Sequence, residues 1–251
     1  MNYFINLSTI LFLLTISNVC AAKEEILLDP FHITKQSATE VSLGIKDQYS
    51  LFGSIGTRTP LTSVINLDYN VDLQLALDTN ASINLFRTKE LSFKLRTANF
   101  FLSAPLTLRN DDLYYSLIYS HRSDHLGDGA KNPTNAIIFS REFISFYATK
   151  KLKLPNITSR FYVGVNRIMR SFPSSLDDTS TIEIGTENSI DDFLFVWYNA
   201  ELSVGLNQTF RAGIAPTDNI GLFWEVYLGK NKSGQFYNKD QVMQMIGIFV
   251  K

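Results

Sequence analysis

Three polar residues, His121, Ser123 and His125, continue an apolar face near the middle of the chain. Before them, from Leu113 to Tyr119, every odd position carries a large leucine or tyrosine side chain. Because successive side chains of a β-strand point to opposite faces, the polar triplet should share this apolar face. On one face of a strand, an imidazole can reach a hydroxyl two residues away. A base within reach of a serine hydroxyl takes its proton and so activates the serine as a nucleophile. The pattern predicts a histidine-serine pair on an apolar surface.

Long stretches of alternating polarity recur through the rest of the chain. From Ile65 to Leu77 every odd position is apolar. Further alternating faces begin at Leu91, Phe100, Phe161, Leu194, Ile220 and Val242. A strand of a soluble protein has about 5–6 residues, whereas a membrane-barrel strand has about 9–11 with one apolar face. The sequence therefore predicts an all-β fold, an antiparallel transmembrane β-barrel of about 10–12 strands.

The opposite faces carry glycine, asparagine and charged residues, which suit a polar barrel interior. We expect Arg141 and Glu142 to belong to an ion-pair network there, because small barrels fill their interior with paired side chains. The other expected members are Arg160, Arg167, Arg170, Glu183 and Glu187. After residue 22, no apolar run reaches the ~20 residues that a transmembrane helix needs. A soluble β-sandwich or lipocalin-like barrel also alternates and is the alternative fold.

The amino-terminal residues 1–22 are predicted to be a cleaved signal peptide. An apolar core from Ile10 to Ile16 precedes small residues, and the run is short for a membrane anchor. Residues 23–251 then form the barrel domain, exported to the bacterial outer membrane. The only cysteine of the whole sequence, Cys20, lies in the predicted signal peptide, so no disulfide is expected in the barrel domain. The formal net charge of −1 gives no nucleic-acid-binding footprint.

Four motifs resemble a bacterial outer-membrane family known as the domain of unknown function 1207 family. They are SHRSDHLGD at 120–128, FSRE at 139–142, FYVGVNRIMRSFP at 161–173 and YLGKNKSGQFY at 227–237. Together they span about half of the mature chain, in the order found in that family. This resemblance implies an outer-membrane location and a barrel fold, and it supplies no activity.

A second resemblance concerns His121, Ser123 and Asn135, whose spacing is similar to the active site of outer-membrane phospholipase A. Barrel lipid A deacylases use a similar His-x-Ser with a downstream acidic residue. The resemblance implies a Ser-His-Asn triad, with Ser123 as nucleophile, His121 as general base and Asn135 as the residue that orients the imidazole. It implies a serine esterase that acts on acyl chains of phospholipid or lipid A, so outer-membrane lipids are the expected partners.

Two other interpretations of the same stretch stay open. The polar residues could be structural, holding a loop at 124–134 on the outer surface of a non-enzymatic barrel or small channel. Alternatively, His121 and His125 with Asp124 or Asp128 could bind a divalent cation. Strand positions four apart are separated by about 13 Å, so one ion would require the strand to break at Asp124. No other cofactor is indicated, and the sequence leaves the oligomeric state open.

Overall fold

The computed structural model describes residues 40–47, 50–68, 71–87, 93–127, 139–172, 174, 179–191, 193–203, 205–217, 220–230 and 240–250. The predicted signal peptide lies outside these ranges and stays a prediction. The strands are β1 Glu40–Asp47, β2 Ser50–Pro60, β3 Ile65–Asp68, β4 Val71–Arg87, β5 Phe93–Asn110, β6 Leu113–Leu126, β7 Phe139–Leu154, β8 Ile157–Phe172, β9 Ser180–Ile190, β10 Leu194–Leu202, β11 Leu206–Thr217, β12 Ile220–Lys230 and β13 Asp240–Val250. None of the described residues belongs to a helix with the length and hydrophobicity needed to cross a membrane.

Twelve of these strands form a closed antiparallel ring. From β4 to β13 each strand pairs with the next in the chain, β13 pairs with β1, and β1 pairs with β2. A further pairing of β2 with β4, from Ser50↔Phe86 to Pro60↔Ala76, closes the sheet. The four-residue β3 lies beyond the end of β2 along the same edge of β4. The predicted antiparallel β-barrel is confirmed, and closure leaves no long sheet edge exposed.

The single long strand expected between Ile65 and Leu77 is wrong. The chain reverses between Asp68 and Val71, so this stretch contains β3 and the beginning of β4. Ile65 pairs with Leu73, and both numbers are odd. Paired residues of an antiparallel ladder face the same side of the sheet. The apolar residues therefore stay at odd positions on both sides of the turn. Alternation alone does not reveal that the chain reverses there.

The two ends of the barrel have connections of different length. At one end β5, β7 and β9 are linked to the following strands by segments of two or three residues. At the other end, the segments after β4, β6, β8 and β12 are longer, up to twelve residues at 127–138. Outer-membrane barrels have short periplasmic turns and longer extracellular loops, so we call the second end the outer end.

The two faces of the wall differ as a membrane barrel requires. The outward face exposes large apolar side chains, among them Leu102, Phe146, Val163, Ile184, Leu222 and Ile246. The inward face carries paired charges, and these pairs are Arg58–Asp78, Arg109–Asp72, Arg122–Asp124, Arg160–Glu187 and Arg211–Glu225. In Arg58–Asp78 two guanidinium nitrogens donate to the carboxylate at 2.6 and 2.8 Å. Charge is thus neutralised within the interior rather than exposed to lipid.

Inward aromatic rings lie over glycines of the neighbouring strand. Tyr147 on β7 pairs with Gly164 on β8, and Tyr162 on β8 pairs with Gly185 on β9. A Cβ atom at Gly164 or Gly185 would overlap the tyrosine ring opposite it. The same relation joins Phe195 to Gly213, and Phe249 to Gly221. Glycine is needed at these positions because the ring occupies the space that a side chain would take.

Candidate active site on the outer wall

The polar triplet of β6 belongs to the outward face of the wall. Inward positions of β6, from Tyr114 to Asp124, are buried at every even number. Outward Leu117 and Tyr119 expose about half of their surface (51% and 50%), and His121, Ser123 and His125 follow in the same phase. The predicted sharing of an apolar face is therefore confirmed. The predicted loop starting at 124 is wrong at its beginning, because β6 pairs with β7 up to Asp124 and with β5 up to Leu126.

The height of His121 corresponds to the outer edge of the apolar band. His121 lies eight residues above Leu113, at the short-turn end of β6. At ~3.3 Å per residue and a strand tilt of ~40°, this corresponds to about 20 Å, compared with an apolar band of ~25 Å. The outward polar residues therefore lie in the outer part of the wall, near the end of the apolar band.

Glu142 on β7 lies directly opposite His121. The two residues are a cross-strand pair, and the Nδ1 atom of His121 is 3.8 Å from Oε1 of Glu142. Both side chains are partly exposed, at 43% and 38%. The hydroxyl of Tyr119, one outward position below His121, also interacts with the Glu142 carboxylate. The imidazole therefore faces a carboxylate through Nδ1, which leaves Nε2 to face another partner.

Ser123 lies one outward position above His121. Its cross-strand neighbours are Ser140 on β7 and Phe100 on β5. Among the described residues, no hydrogen bond joins the imidazole of His121 to the hydroxyl of Ser123. The structure thus brings a hydroxyl, an imidazole and a carboxylate onto one surface, and the first two are not in hydrogen-bonding contact. Catalytic hydrogen bonds are often long in ligand-free structures and shorten when substrate binds.

Asn135, the predicted third member of the triad, lies outside the described residues. The residue that faces the imidazole in the described part of the chain is Glu142, which the sequence interpretation assigned to the interior together with Arg141. That assignment is wrong for Glu142, because it is in phase with outward Ile144 and Phe146. Continuing that period of two backwards from Ile144 would have identified it.

Arg141 points inward, as predicted, and Arg160 forms the predicted pair with Glu187 at 3.6 Å. The guanidinium of Arg141 lies 5.7 and 5.4 Å from the ring centroids of Phe139 and Phe143. Arg167 and Arg170 do not join the interior network, because both are exposed on the outward face of β8. The sequence interpretation therefore assigned half of these arginines to the wrong side of the wall.

The alternative cation site does not form from His121, His125 and Asp124, and Asp128 lies outside the described residues. Asp124 is fully buried on the inward face, where Arg122 donates to it at 3.2 Å. His125 is on the outward face, edge-on to Phe100 with 5.7 Å between ring centroids. The strand does not break at Asp124, so His121, His125 and Asp124 do not converge. Within the described ranges, no group of three or more His, Cys, Asp or Glu residues is arranged to hold a metal ion.

Comparison with known structures places the fold among outer-membrane barrels. Outer membrane phospholipase A from Escherichia coli is 15% identical, with a TM-score of 0.58, over 85% of this chain and 96% of that chain. The Salmonella typhi outer membrane phospholipase, a dimer with bound calcium, is 15% identical with a TM-score of 0.60, over 94% of this chain and 96% of that one. At this identity the similarity is one of fold.

No protein-family model matches the chain, and no curated protein matches it in sequence. The resemblance to the domain of unknown function 1207 family therefore gains no support. The resemblance to outer-membrane phospholipase A is confirmed at the level of the barrel, whereas the similarity of the catalytic spacing stays a prediction.

Proposed function

We propose that this protein is an outer-membrane serine esterase that hydrolyses acyl esters of lipids in the outer leaflet. One observation carries the proposal: His121 faces Glu142 across the β6–β7 pairing, with 3.8 Å from Nδ1 to Oε1, and Ser123 is the next outward residue of β6. A hydroxyl, an imidazole and a carboxylate are the three groups of a serine hydrolase, which is recognised by geometry rather than by sequence order.

The roles follow from the chemistry of the three groups. For the reaction, the 3.8 Å between Nδ1 of His121 and Oε1 of Glu142 must shorten to a hydrogen bond, which leaves Nε2 to accept the proton of the Ser123 hydroxyl. The serine oxygen then attacks the ester carbonyl, and the alcohol leaves with the proton that the imidazolium returns to it. Water, activated by the same imidazole, hydrolyses the acyl-serine and restores the enzyme.

Glu142 is proposed in place of Asn135 as the orienting residue. A carboxylate fixes the tautomer of the imidazole and also stabilises the imidazolium formed during the reaction, which a neutral amide does less well. The exposure of Glu142 limits this benefit, because water screens a partly exposed pair. Asn135 is kept as a second candidate that the following experiment distinguishes.

The surface around Ser123 suits a lipid substrate. Phe100 on β5 exposes 50% of its surface beside Ser123, and Leu102, paired with His121, exposes 47%. Acyl chains of the leaflet can lie against this apolar wall while the ester reaches the serine. No deep pocket is needed, since the membrane itself presents the substrate.

A divalent cation is bound by the Salmonella typhi phospholipase dimer. In this chain, the described outward residues near Ser123 contribute a single carboxylate, that of Glu142, and do not form a ligand set for a cation. The proposed mechanism therefore uses only His121, Ser123 and Glu142. If EDTA abolished the activity and calcium restored it, the mechanism would have to include a bound cation.

The alternative is a non-enzymatic barrel, and the missing hydrogen bond between His121 and Ser123 favours it. A wide channel gains no support, because the described inward residues are largely buried and five ion pairs join charged side chains among them. Buried Phe195, Phe223, Met245 and Phe249 pack together inside the barrel. A structural role of the polar triplet is thus the stronger of the two non-enzymatic alternatives.

The test is hydrolysis of a long-chain p-nitrophenyl ester by purified protein folded in detergent micelles. The Ser123→Ala variant should lose at least about 10³-fold in kcat. Ser140→Ala is the matched control, because Ser140 is the outward serine paired with Ser123 and has no histidine opposite it. Comparison of Glu142→Ala with Asn135→Ala identifies the orienting residue. Unchanged hydrolysis by folded Ser123→Ala would refute the proposal.

A further inference from the structure

Tyr119 is the outward residue of β6 directly below His121. It exposes 50% of its surface, so its ring stands on the wall rather than inside the barrel. On its two sides it pairs with Ala104 on β5 and with Ile144 on β7. A phenol hydroxyl thus lies one outward position from the proposed base, between two apolar residues.

The ladder around Tyr119 offers its hydroxyl few polar neighbours. The outward residues next to it, across the strands, diagonally and along β6, are Leu102, Ala104, Leu106, Leu117, His121, Glu142, Ile144 and Phe146. All of them except His121 and Glu142 are apolar. Since lipid tails form no hydrogen bonds, a polar tip on this wall is stabilised by an acceptor from the protein. Of the two polar neighbours, the carboxylate is the stronger acceptor for a hydroxyl.

Glu142 is the neighbour with which the Tyr119 hydroxyl interacts. Oε1 of the same carboxylate lies 3.8 Å from Nδ1 of His121. A carboxylate has two oxygens and can accept hydrogen bonds from several donors at once. Tyr119 and His121 stand two residues apart on one face of β6, so both approach Glu142 across the β6–β7 ladder.

The Glu142 carboxylate needs a second contact to stay beside His121. Its side chain is 38% exposed and flexible, so contact with water competes with contact to the imidazole. A tyrosine ring has few rotatable bonds, and a hydroxyl that donates to a charged oxygen forms one of the stronger hydrogen bonds. Such a contact limits the directions that the carboxylate can take. The gap to Nδ1 can then close with little further loss of side-chain freedom.

Arg170 on β8 is the other charged residue that neighbours Glu142. It pairs with Glu142 where the β7–β8 register shifts, which leaves Met169 as an extra residue between Ile168 and Arg170. A guanidinium at this position approaches Glu142 from the side opposite to β6. Arg170 is therefore the competing tether for the carboxylate, and its variant belongs to the test.

We infer that Tyr119 is a positioning residue of the proposed esterase, which donates its hydroxyl hydrogen to Glu142 and so holds that carboxylate towards His121. This inference rests on the proposed function. It assigns to Tyr119 a role that acts through Glu142 rather than on the substrate. An aromatic residue that only anchors the wall at the membrane interface needs its ring, whereas positioning needs the hydroxyl.

The experiment is Tyr119→Phe, which removes the hydroxyl and keeps the ring. With the long-chain p-nitrophenyl ester it should lower kcat by about threefold to tenfold and leave KM unchanged, because the base is weakened while bound substrate keeps its contacts. In a Glu142→Ala background the same change should cause no further loss. Tyr115→Phe is the matched control, because Tyr115 is another outward tyrosine of β6 and pairs with Ala148 rather than with a charged residue.

Three kinetic results would overturn the inference. The first is an equal loss of kcat in Tyr119→Phe and Tyr115→Phe, and the second is an undiminished loss in the Glu142→Ala background. The third is an unchanged kcat in Tyr119→Phe together with a loss in Arg170→Gln that depends on Glu142, which would make Arg170 the tether.

An NMR measurement tests the contact without activity. The chain has three histidines, so protein labelled with ¹⁵N at histidine gives few imidazole resonances, and His121→Ala assigns those of His121. Tyr119→Phe should shift the Nδ1 resonance of His121, as Glu142→Ala does, while Tyr115→Phe should leave it in place. If Ser123→Ala hydrolyses the ester as fast as the wild type, the esterase falls, and this shift still supports the contact. An unshifted Nδ1 resonance in Tyr119→Phe overturns the inference and leaves the esterase standing.

Discussion

The outward faces of β6–β8 and of β12–β13 obey the same period of two but end differently. On β12 and β13 the outward residues Leu222, Trp224, Ile246 and Ile248 are large, apolar and exposed, and Gln244 is an exposed polar residue in the same phase. On β6–β8 the same apolar face changes to His121, Ser123, Glu142 and Arg170 towards the outer end. The first surface is apolar apart from Gln244, and at the outer end Lys230 and Asp240 form an ion pair at 2.8 Å. The second places His121, Glu142 and Arg170 in one cross-strand row, with Ser123 one position above, on a wall where polar groups are costly.

Strand length accompanies this difference. β12 and β13 have 11 residues each, which matches the ~9–11 needed to cross the membrane. β6, β7 and β8 have 14, 16 and 16 residues, and their outer-end residues include the candidate site. A taller wall can carry polar side chains at the lipid headgroups without giving up the apolar crossing below them. The candidate site therefore lies towards the outer ends of long strands, a group that also includes β4 and β5 with 17 and 18 residues.

The largest effect is expected at His121. His121→Ala removes the proposed base and should lower kcat by about 10³-fold to 10⁴-fold. The double variant with Ser123→Ala should be no slower than either single one, because residues that act as a unit are not additive. Kinetics in micelles with an ester substrate check this. If the fold-loss of kcat in the double variant equalled the product of the two single fold-losses, the residues would act independently.

A charge placed on the apolar wall should destabilise the barrel. Ile246→Arg, at a site 66% exposed in the middle of β13, should lower the free energy of unfolding by about 2–4 kcal/mol. Val242→Arg is the control, because Val242 lies near the outer end of the same strand and should change it by about 0–1 kcal/mol. Urea titration in lipid vesicles measures both. Equal effects at the two depths would contradict the assignment of β13 to the membrane-crossing wall.

The aromatic-over-glycine packing should be intolerant of a methyl group. Gly164→Ala should lower the free energy of unfolding by about 1–3 kcal/mol, because the new Cβ overlaps the Tyr147 ring and the core cannot expand easily. Gly205→Ala is the matched control, since its nearest neighbouring atom, on Lys230, would lie 3.9 Å from the added Cβ. The fraction of protein in the folded gel band, measured at increasing urea concentrations, compares the stabilities of the two variants. A Gly164→Ala barrel as stable as Gly205→Ala would mean that Tyr147 can move aside.

The smallest effect is expected at Glu142. Glu142→Gln should reduce kcat by about tenfold, equivalent to about 1.4 kcal/mol, because the His121–Glu142 pair is partly exposed and 3.8 Å apart. Glu142→Asp keeps the charge, so its kcat should lie between that of Glu142→Gln and that of the wild type. A loss as large as that of His121→Ala would indicate that Glu142 does more than orient the ring. No loss at all would return the orienting role to Asn135.

Much of this architecture could be predicted from residue order, because the direction of a strand side chain is a local property. The alternation around Tyr119 placed His121, Ser123 and His125 on the outward face, and the length of such runs distinguished a membrane barrel from a soluble sheet. Alternation could not reveal the reversal between Asp68 and Val71, since Ile65 pairs with Leu73, odd with odd, before the register shifts at Asp68. A prediction from alternation also requires that every residue of a strand be assigned by the same odd or even rule. Glu142 was assigned to the interior against that rule.

Pairing between strands was decided only by the tertiary structure. Glu142 stands opposite His121 because of the register of β6 against β7, and that register depends on the whole ladder rather than on a count of residues from Ser123. The bulge at Met169, which turns Arg167 and Arg170 to one side, is likewise a property of the β7–β8 pairing. The sequence determined which side chains of a regular strand face lipid. The closed sheet determined which of them are neighbours, because neighbouring strands bring together residues that are distant in the chain.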